Sequence, residues 1–417
     1  MNTEKLHSGS LENTLHHAMR PFFLLSRLFG VMPASGLWSS NDVAHVHFSW
    51  CSVVVFISFV LMGFAFIDFV LSAKLVVGSG FRIYTVGPLS FSVICLCGYV
   101  CFFLLARNWP NLIKQTRRCE VIFLRKCYES LASKRFSYNI RAYGAILFCG
   151  AVVEHMLYIS NAAYTNYLQI QECNFTVNFL ENYFIRESSQ IFLLIAYKPW
   201  LIPLIEWITF AMTFTWNFID IFLTLVCGSL AMRFNQFHWR IERHINEPMP
   251  RGFWQEMRRD FLSLTDVLWL YDEKLSNLVL LACAHNLYFI CVQIFHSFHD
   301  KGNFMTEIYF WLSIVYVLIR ILAMMFAAAS IPDAADKITV ALYEIPTAYW
   351  CSELTRLNEV VVSDLIAISG KGLFFLTRRL IFAMAGTIII YELVLINQVR
   401  DYQMNIDFCA FNRKLFY

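Results

Sequence analysis

Charge is what this chain has least of. Asp, Glu, Lys and Arg together make 15% of its 417 residues, whereas a soluble domain carries about a quarter, so the chain cannot coat itself for water. Motifs of catalysis and cofactor binding are missing as well. There is no HExxH, GxSxG, Walker loop, GxGxxG or CxxC, and the histidines, including the His16-His17 pair, do not recur at metal-ligand spacing. An enzyme, a resident cofactor and a nucleic-acid partner are therefore not expected. The first twenty residues lack the apolar core of a cleavable signal peptide, so the first span is expected to act as the insertion signal. Internal repeats, low-complexity linkers and an appended soluble domain are also absent, and the missing repeat weighs against a secondary transporter.

What is present instead is apolar bulk: 58% hydrophobic residues and 40 phenylalanines. A spanning helix needs about 20 apolar residues, because hydrocarbon offers no partner to an open backbone amide. Seven stretches qualify, near residues 48–73, 86–106, 142–163, 204–232, 276–298, 304–329 and 380–399. The expected fold is an all-α polytopic membrane protein with seven transmembrane helices and cytoplasmic helical extensions of those spans.

Orientation follows from the few charges left. Segments on the N-terminal side of the membrane hold 22 of the 33 Lys and Arg, the opposite side 8, and Arg320, Arg378 and Arg379 lie in or beside spans. The positive-inside rule places the N-terminus in the cytoplasm and the C-terminus outside. The only N-x-S/T sequon, Asn174-Phe175-Thr176, falls on the outer side, where glycosylation is possible. This orientation is opposite to that of a G-protein-coupled receptor. Of 13 cysteines, only Cys173 and Cys409 fall in outer segments, and a disulfide between them is expected.

The chain thus divides into a cytoplasmic N-terminal segment (1–47), a six-span bundle (48–329) with cytoplasmic loops at 107–141 and 233–275, cytoplasmic anchor helices (330–379), a final span (380–399) and an extracellular tail (400–417). Within the second loop, Phe261, Leu264, Val267, Leu268 and Tyr271 follow helical spacing after a break at Glu247-Pro248-Met249-Pro250. After Ser330-Ile331-Pro332-Asp333, Leu354, Leu357, Val361 and Leu365 form a second stripe.

Polar residues inside spans are costly enough to be functional candidates. The outer halves carry Asp68, Tyr84 just before span two, Glu154, Tyr158, Asn161, Glu206, Trp207, Tyr288, Gln293, Glu307, Tyr309 and Trp311. Carboxylates and amides that bridge hydroxyls, mixed with flat aromatic faces, suit a neutral polyhydroxylated ligand. Interfacial aromatic belts and helix-to-helix hydrogen bonds account for the same residues in a purely structural way. Deeper, Asp220 and Arg320 lie at comparable depth and are expected to pair, such that exchanging both charges restores what either reversal loses. In the last span, Ile390, Val394 and Asn397 or Gln398 lie along one stripe. Four copies around an axis would make an apolar constriction beside a ring of amides, a gate for hydrated cations.

Tyr391 to Gln398 resembles the C-terminal signature of insect gustatory receptors, Thr-Tyr, five hydrophobic residues, then Gln-Phe. Met19-Arg20-Pro21 with Phe29 to Gly36, Phe218 to Phe222 with Arg233-Phe234, Asp272 to Leu275 with Asn286 to Gln293, and Met384 to Thr387 resemble the sugar-sensing clade of that family. The resemblance implies a ligand-gated, non-selective cation channel in the plasma membrane of chemosensory neurons. It implies a homotetramer, or a heteromer with related sugar receptors, with an outward sugar pocket in each subunit and a pore lined by the last helix. The signature's ends differ: Ile390 stands for the family Thr, Asn397 for Gln and Gln398 for Phe, which shifts the expected closed-state constriction towards Val394. The alternatives are a metabotropic receptor, for which Glu242-Arg243-His244 is misplaced and an NPxxY-like ending is missing, and a sugar transporter.

Overall fold

In lipid the side chains that face outward must be apolar, so a helix can carry polar groups only where other helices enclose it. That rule organises the architecture. The computed structural model describes residues 12–37, 43–79, 83–129, 135–173, 178–192, 195–297, 303–363 and 365–399. Helices α1 (Leu15–Leu28), α2 (Val53–Ser79), α3 (Ile83–Phe123), α4 (Phe136–Glu172), α5 (Phe179–Glu187), α6 (Ser189–Phe192), α7 (Ile202–Glu242), α8 (Arg251–Ser297), α9 (Phe304–Tyr343), α10 (Ser352–Ser363) and α11 (Arg378–Val399) carry the chain. Among the described residues, α2, α3, α4, α7, α8 and α9 are long and apolar enough to cross a membrane. Helix α11 occupies the seventh stretch expected from the sequence.

Helix α7 is the centre: 83% of its apolar window is buried, against 28% for α2 at the rim, although α2 is the more apolar of the two. It packs on α3, α4, α8 and most extensively on α9. Close approach is bought by small residues. A Cβ on Gly144 of α4 would lie 2.2 Å from the Phe22 ring of α1, and one on Gly150 would lie 2.6 Å from the Tyr316 ring of α9.

The helices continue well beyond the stretches expected to cross the bilayer. Helix α3 runs to Phe123 through the expected loop at 107–141, and α8 begins at Arg251. The stripe Phe261, Leu264, Val267, Leu268 and Tyr271 is buried throughout. Two details differ from expectation. Helix α9 does not stop near 329 but passes through Pro332 to Tyr343; Pro332 is buried, and the packing around it outweighs one missing backbone hydrogen bond. The second stripe keeps Leu354, Leu357 and Val361 on buried faces of α10, whereas Leu365 lies past the helix end and is exposed.

Charge recurs where these extensions meet. Glu120 Oε1 accepts from the Leu15 amide at 2.9 Å and from Arg233 Nη2 at 2.8 Å, both side chains being buried. The carboxylate therefore satisfies an open N–H at the start of α1 and favours that end of the helix dipole. Arg233 also lies 4.0 Å over the Phe136 ring, so one guanidinium fastens α1 to α3, α4 and α7. Nearby, the Tyr128 hydroxyl donates to Asp260 Oδ2 at 2.7 Å, and Arg240 flanks that carboxylate at 3.5 Å. Burial and then the Asp260 carboxylate push the Tyr128 phenol well above the usual tyrosine range, so it stays a donor. At the foot of the bundle Asp272 accepts from the Ser369 amide and hydroxyl, and Arg378 reaches Asp333 at 2.5 Å, which fixes the start of α11.

Candidate ligand site and gate

The outer halves of α4, α8 and α9 meet at Glu154, which is 9% exposed. Its Oε1 accepts from Ser313 Oγ at 2.9 Å and from the Tyr309 hydroxyl at 3.5 Å, and Ser313 Oγ is itself 3.3 Å from Gln293 Nε2. One chain of hydrogen bonds thus ties three helices. Gln293 Oε1 is buried and has no hydrogen-bond partner among the described residues, which leaves an acceptor ready for an incoming hydroxyl.

One turn above Glu154, the Tyr158 hydroxyl donates to Glu187 Oε2 at 2.5 Å, and its ring lies 6.1 Å from that of Tyr309. Glu187 comes from α5, in the stretch between the third and fourth spans. This helix forms because Asn178 caps it, accepting from the Leu180 amide at 3.3 Å. Asn166 of α4 then holds it, donating to Phe179 O at 3.1 Å and accepting from Asn182 at 2.7 Å. Burial raises the Tyr183 phenol to about 12, with the Glu187 and Glu206 carboxylates adding to the effect. Carboxylates, phenols and an amide therefore converge beneath a short outer helix.

Of the residues singled out in the sequence, Glu154, Tyr158 and Gln293 come together in this cluster, joined by Tyr309. Asp68 sits apart on α2, accepting from Gln190 at 3.0 Å. Glu206 and Trp207 stand at the outer end of α7, Trp207 being 37% exposed, and Glu307 is exposed on α9. Trp311, 50% exposed, faces outward from α9, and Tyr288 packs edge-on against Phe289 at 5.2 Å. Tyr84 lies in the first turn of α3, its side chain outside the described part. Cys173 is disulfide-bonded, while Cys409 and the sequon residue Asn174 lie outside the described residues. Sequence reasoning missed Glu187, Tyr183 and Ser313. The Asn178 cap followed by Phe179, Tyr183 and Phe184 was the available signal for α5.

Below the cluster, Asp220 and Arg320 pair at 2.9 Å with both side chains fully buried. Asn286 donates to Asp220 Oδ1 at 2.9 Å, and His285 approaches Oδ2 at 3.4 Å. Arg320 donates to Asn217 Oδ1 at 2.5 Å and lies 4.4 Å over the Trp216 ring. Polar groups of three helices, α7, α8 and α9, are thereby gathered around one ion pair inside the bundle.

Helix α11 has two faces. Leu380, Ile381, Met384 and Ile388 pack on the bundle, while Phe382, Ile389, Ile390 and Tyr391 are 52–78% exposed on the other side. Ile390, the first residue of the expected gate, belongs to the exposed side. The side chains of Val394, Asn397 and Gln398 fall outside the described part.

The profile of the trehalose receptor family matches residues 3–409. The chain is 32% identical over 383 residues to the gustatory receptor for sugar taste 64b of Drosophila melanogaster, covering 92% of this chain and 94% of that one. It is 28% identical to gustatory receptor 5a for trehalose of the same fly, covering 95% and 87%. Among solved structures, the insect olfactory receptor OR5 from Machilis hrabei superposes with a TM-score of 0.68 at 12% identity, over 91% of this chain and 98% of that one. That likeness extends the fold assignment to nearly the whole chain. A helical bundle of this form, matched along its length by a receptor profile, belongs to the trehalose receptor family of insect sugar gustatory receptors.

Proposed function

We propose that the chain is a sugar-gated cation channel of the plasma membrane, acting in taste neurons as a tetramer, alone or with related subunits. Extracellular sugar enters between α4, α8 and α9 and exchanges its hydroxyls for the contacts that Glu154, Ser313, Tyr309 and Gln293 now make with one another. Tyr158 and Tyr309 offer ring faces to the sugar's C–H surface, and Glu187 and Tyr183 of α5 form the outer wall. Glu206 and Trp207, at the outer end of α7, form the mouth of the pocket, whereas Asp68, Tyr84, Tyr288, Glu307 and Trp311 are assigned no direct contact with the sugar.

The observation that carries this reading is the Glu154–Ser313–Gln293 hydrogen-bond chain with its unused acceptor, facing the side that the charge distribution assigns to the exterior. Coupling to the pore follows from continuity. Helices α8 and α9 carry Gln293 and Ser313 at their outer ends, run unbroken to the cytoplasmic side and touch α11 there. Sugar opens the pore to the extent that it binds the open arrangement better than the closed one. Four α11 helices, turning their exposed faces to a common axis, bring Ile390 and Val394 together as the constriction, with Asn397 and Gln398 as the polar ring.

The test is voltage-clamp recording from non-neuronal cells expressing the chain, by itself and with related subunits, with surface protein confirmed. A saturable, sugar-evoked cation current is expected. Its absence under both conditions overturns the proposal.

A further inference from the structure

A second concavity lies on the membrane side of α4 and α7 and is separate from the hydrogen-bonded cluster at Glu154. It has a volume of about 210 Å³ and is walled by Phe148, Phe210, Phe214 and Phe218, with Phe29 and Ile221 among the residues at its lower end. Val152 and Met156 at its rim are 43% and 47% exposed, so it opens sideways, towards lipid. An acyl chain could fill such a groove without any specific recognition.

His155 makes the difference. It is 8% exposed, lines the concavity, and touches the rings of Tyr158 and Phe210, the latter edge-on at 4.7 Å. It finds no hydrogen-bond partner among the described residues. Its ring nitrogens are not fully enclosed and open onto the groove, whose apolar wall offers them no partner, so a hydrogen-bonding occupant would supply one. The amide of Asn217, also on this wall, is already committed to Thr213 O at 3.0 Å and to Arg320. His155 lies eight residues inside the outer end expected for the third span, about 12 Å at 1.5 Å per residue. Ester groups of the bilayer stay at the interface, whereas a small alcohol dissolved in the hydrocarbon reaches this depth.

We propose that this groove binds a small, membrane-soluble cyclic alcohol or phenol, its hydroxyl on the His155 ring and its apolar body between Phe148, Phe210, Phe214 and Phe218. Size argues for a single ring. A dry apolar cavity of about 150 Å³ holds benzene, and this groove adds room for a few substituent atoms. The site does not depend on the sugar reading, because it shares no hydrogen bond with the Glu154 cluster.

The experiment uses the full-length protein in nanodiscs and radiolabelled thymol, with empty nanodiscs subtracted to remove partitioning into lipid. Saturable binding of one thymol per chain is expected, and p-cymene, the same skeleton without the hydroxyl, should compete at least tenfold less well. His155→Phe should weaken thymol binding at least tenfold. Ala151→Phe, which fills the groove from its wall, should abolish it while His155 remains. Both variants are assayed only as monodisperse protein, so loss of fold is not read as loss of the site. Uptake equal to empty nanodiscs overturns the proposal, as does equal competition by p-cymene or unchanged binding to both variants.

Discussion

Replacing Arg320 by methionine tests the interior of the bundle most severely. Methionine keeps the length of the side chain but removes the cation, leaving Asp220 buried with Asn286 as its hydrogen-bond donor at 2.9 Å and His285 at 3.4 Å. Breaking a buried pair on one side costs about 3–5 kcal/mol, which is between two and four decades in the folding equilibrium and a large part of the total stability of a typical domain, about 5–15 kcal/mol. Asp220→Asn should cost a similar amount, since Arg320 would keep only Asn217 and the Trp216 face. The double variant Asp220→Asn/Arg320→Met removes both charges and should recover part of the loss, with a coupling energy of about 1–3 kcal/mol. Exchange of the two charges should recover less than the sequence alone suggests. It would turn the Asn286 amide donor towards a cation and strip the Trp216 ring of its guanidinium, 4.4 Å away. Melting of each full-length variant by size-exclusion chromatography, with surface biotinylation in cells, measures all four. If Arg320→Met melted at the wild-type temperature, or if the neutral double variant were no better than either single one, the pair would not hold the bundle together.

Gly144→Leu should lower surface expression sharply because its Cβ enters the Phe22 ring, and Phe22→Ala in the same chain should restore much of it in a biotinylation assay. Arg233→Ala should loosen α1 and strand Glu120, costing about 3–5 kcal/mol; limited proteolysis near Leu15 should speed up, whereas Glu120→Gln, which keeps the acceptor for the Leu15 amide, should be milder. Tyr128→Phe removes the donor to buried Asp260 and should lower the melting temperature by the equivalent of about 1–3 kcal/mol. Because burial and the Asp260 carboxylate raise the phenol's pKa, the wild-type contact should persist in melts run above pH 10, the ordinary tyrosine value.

The spans were legible because hydrocarbon demands long apolar runs, and the orientation because 22 of 33 basic residues lie on one side. The Asp220–Arg320 pair was legible for the same reason, since two opposite charges at one depth have few other solutions. That spans four and five continue as cytoplasmic helices was legible from the apolar stripe after Pro250; that span six does the same was not. Pro332 looked like a stop because proline usually is one, and only the packing of α9 on α7 carries the helix through it. Within the site, Glu154, Tyr158 and Gln293 were legible as polar residues in apolar runs. Glu187 was not, because a carboxylate in an extracellular loop costs nothing and gives no signal until α5 folds back over α4. Ser313 was silent for a related reason: a serine in a span commonly bonds its own helix, and nothing local tells that it faces Glu154.

The proposed hold of the Glu154 cluster on sugar is measured most directly by a sugar dose-response of cation current for wild type, Glu154→Gln and Glu307→Gln at matched surface expression. Losing a hydrogen bond to a charged group costs about 1.5–3 kcal/mol, so Glu154→Gln should raise the half-maximal sugar concentration by about tenfold or more with the saturating current retained. Glu307→Gln, exposed and outside the hydrogen-bond chain, should stay close to the wild-type curve. A Glu154→Gln curve that overlays wild type, or a larger shift in Glu307→Gln, would contradict the account.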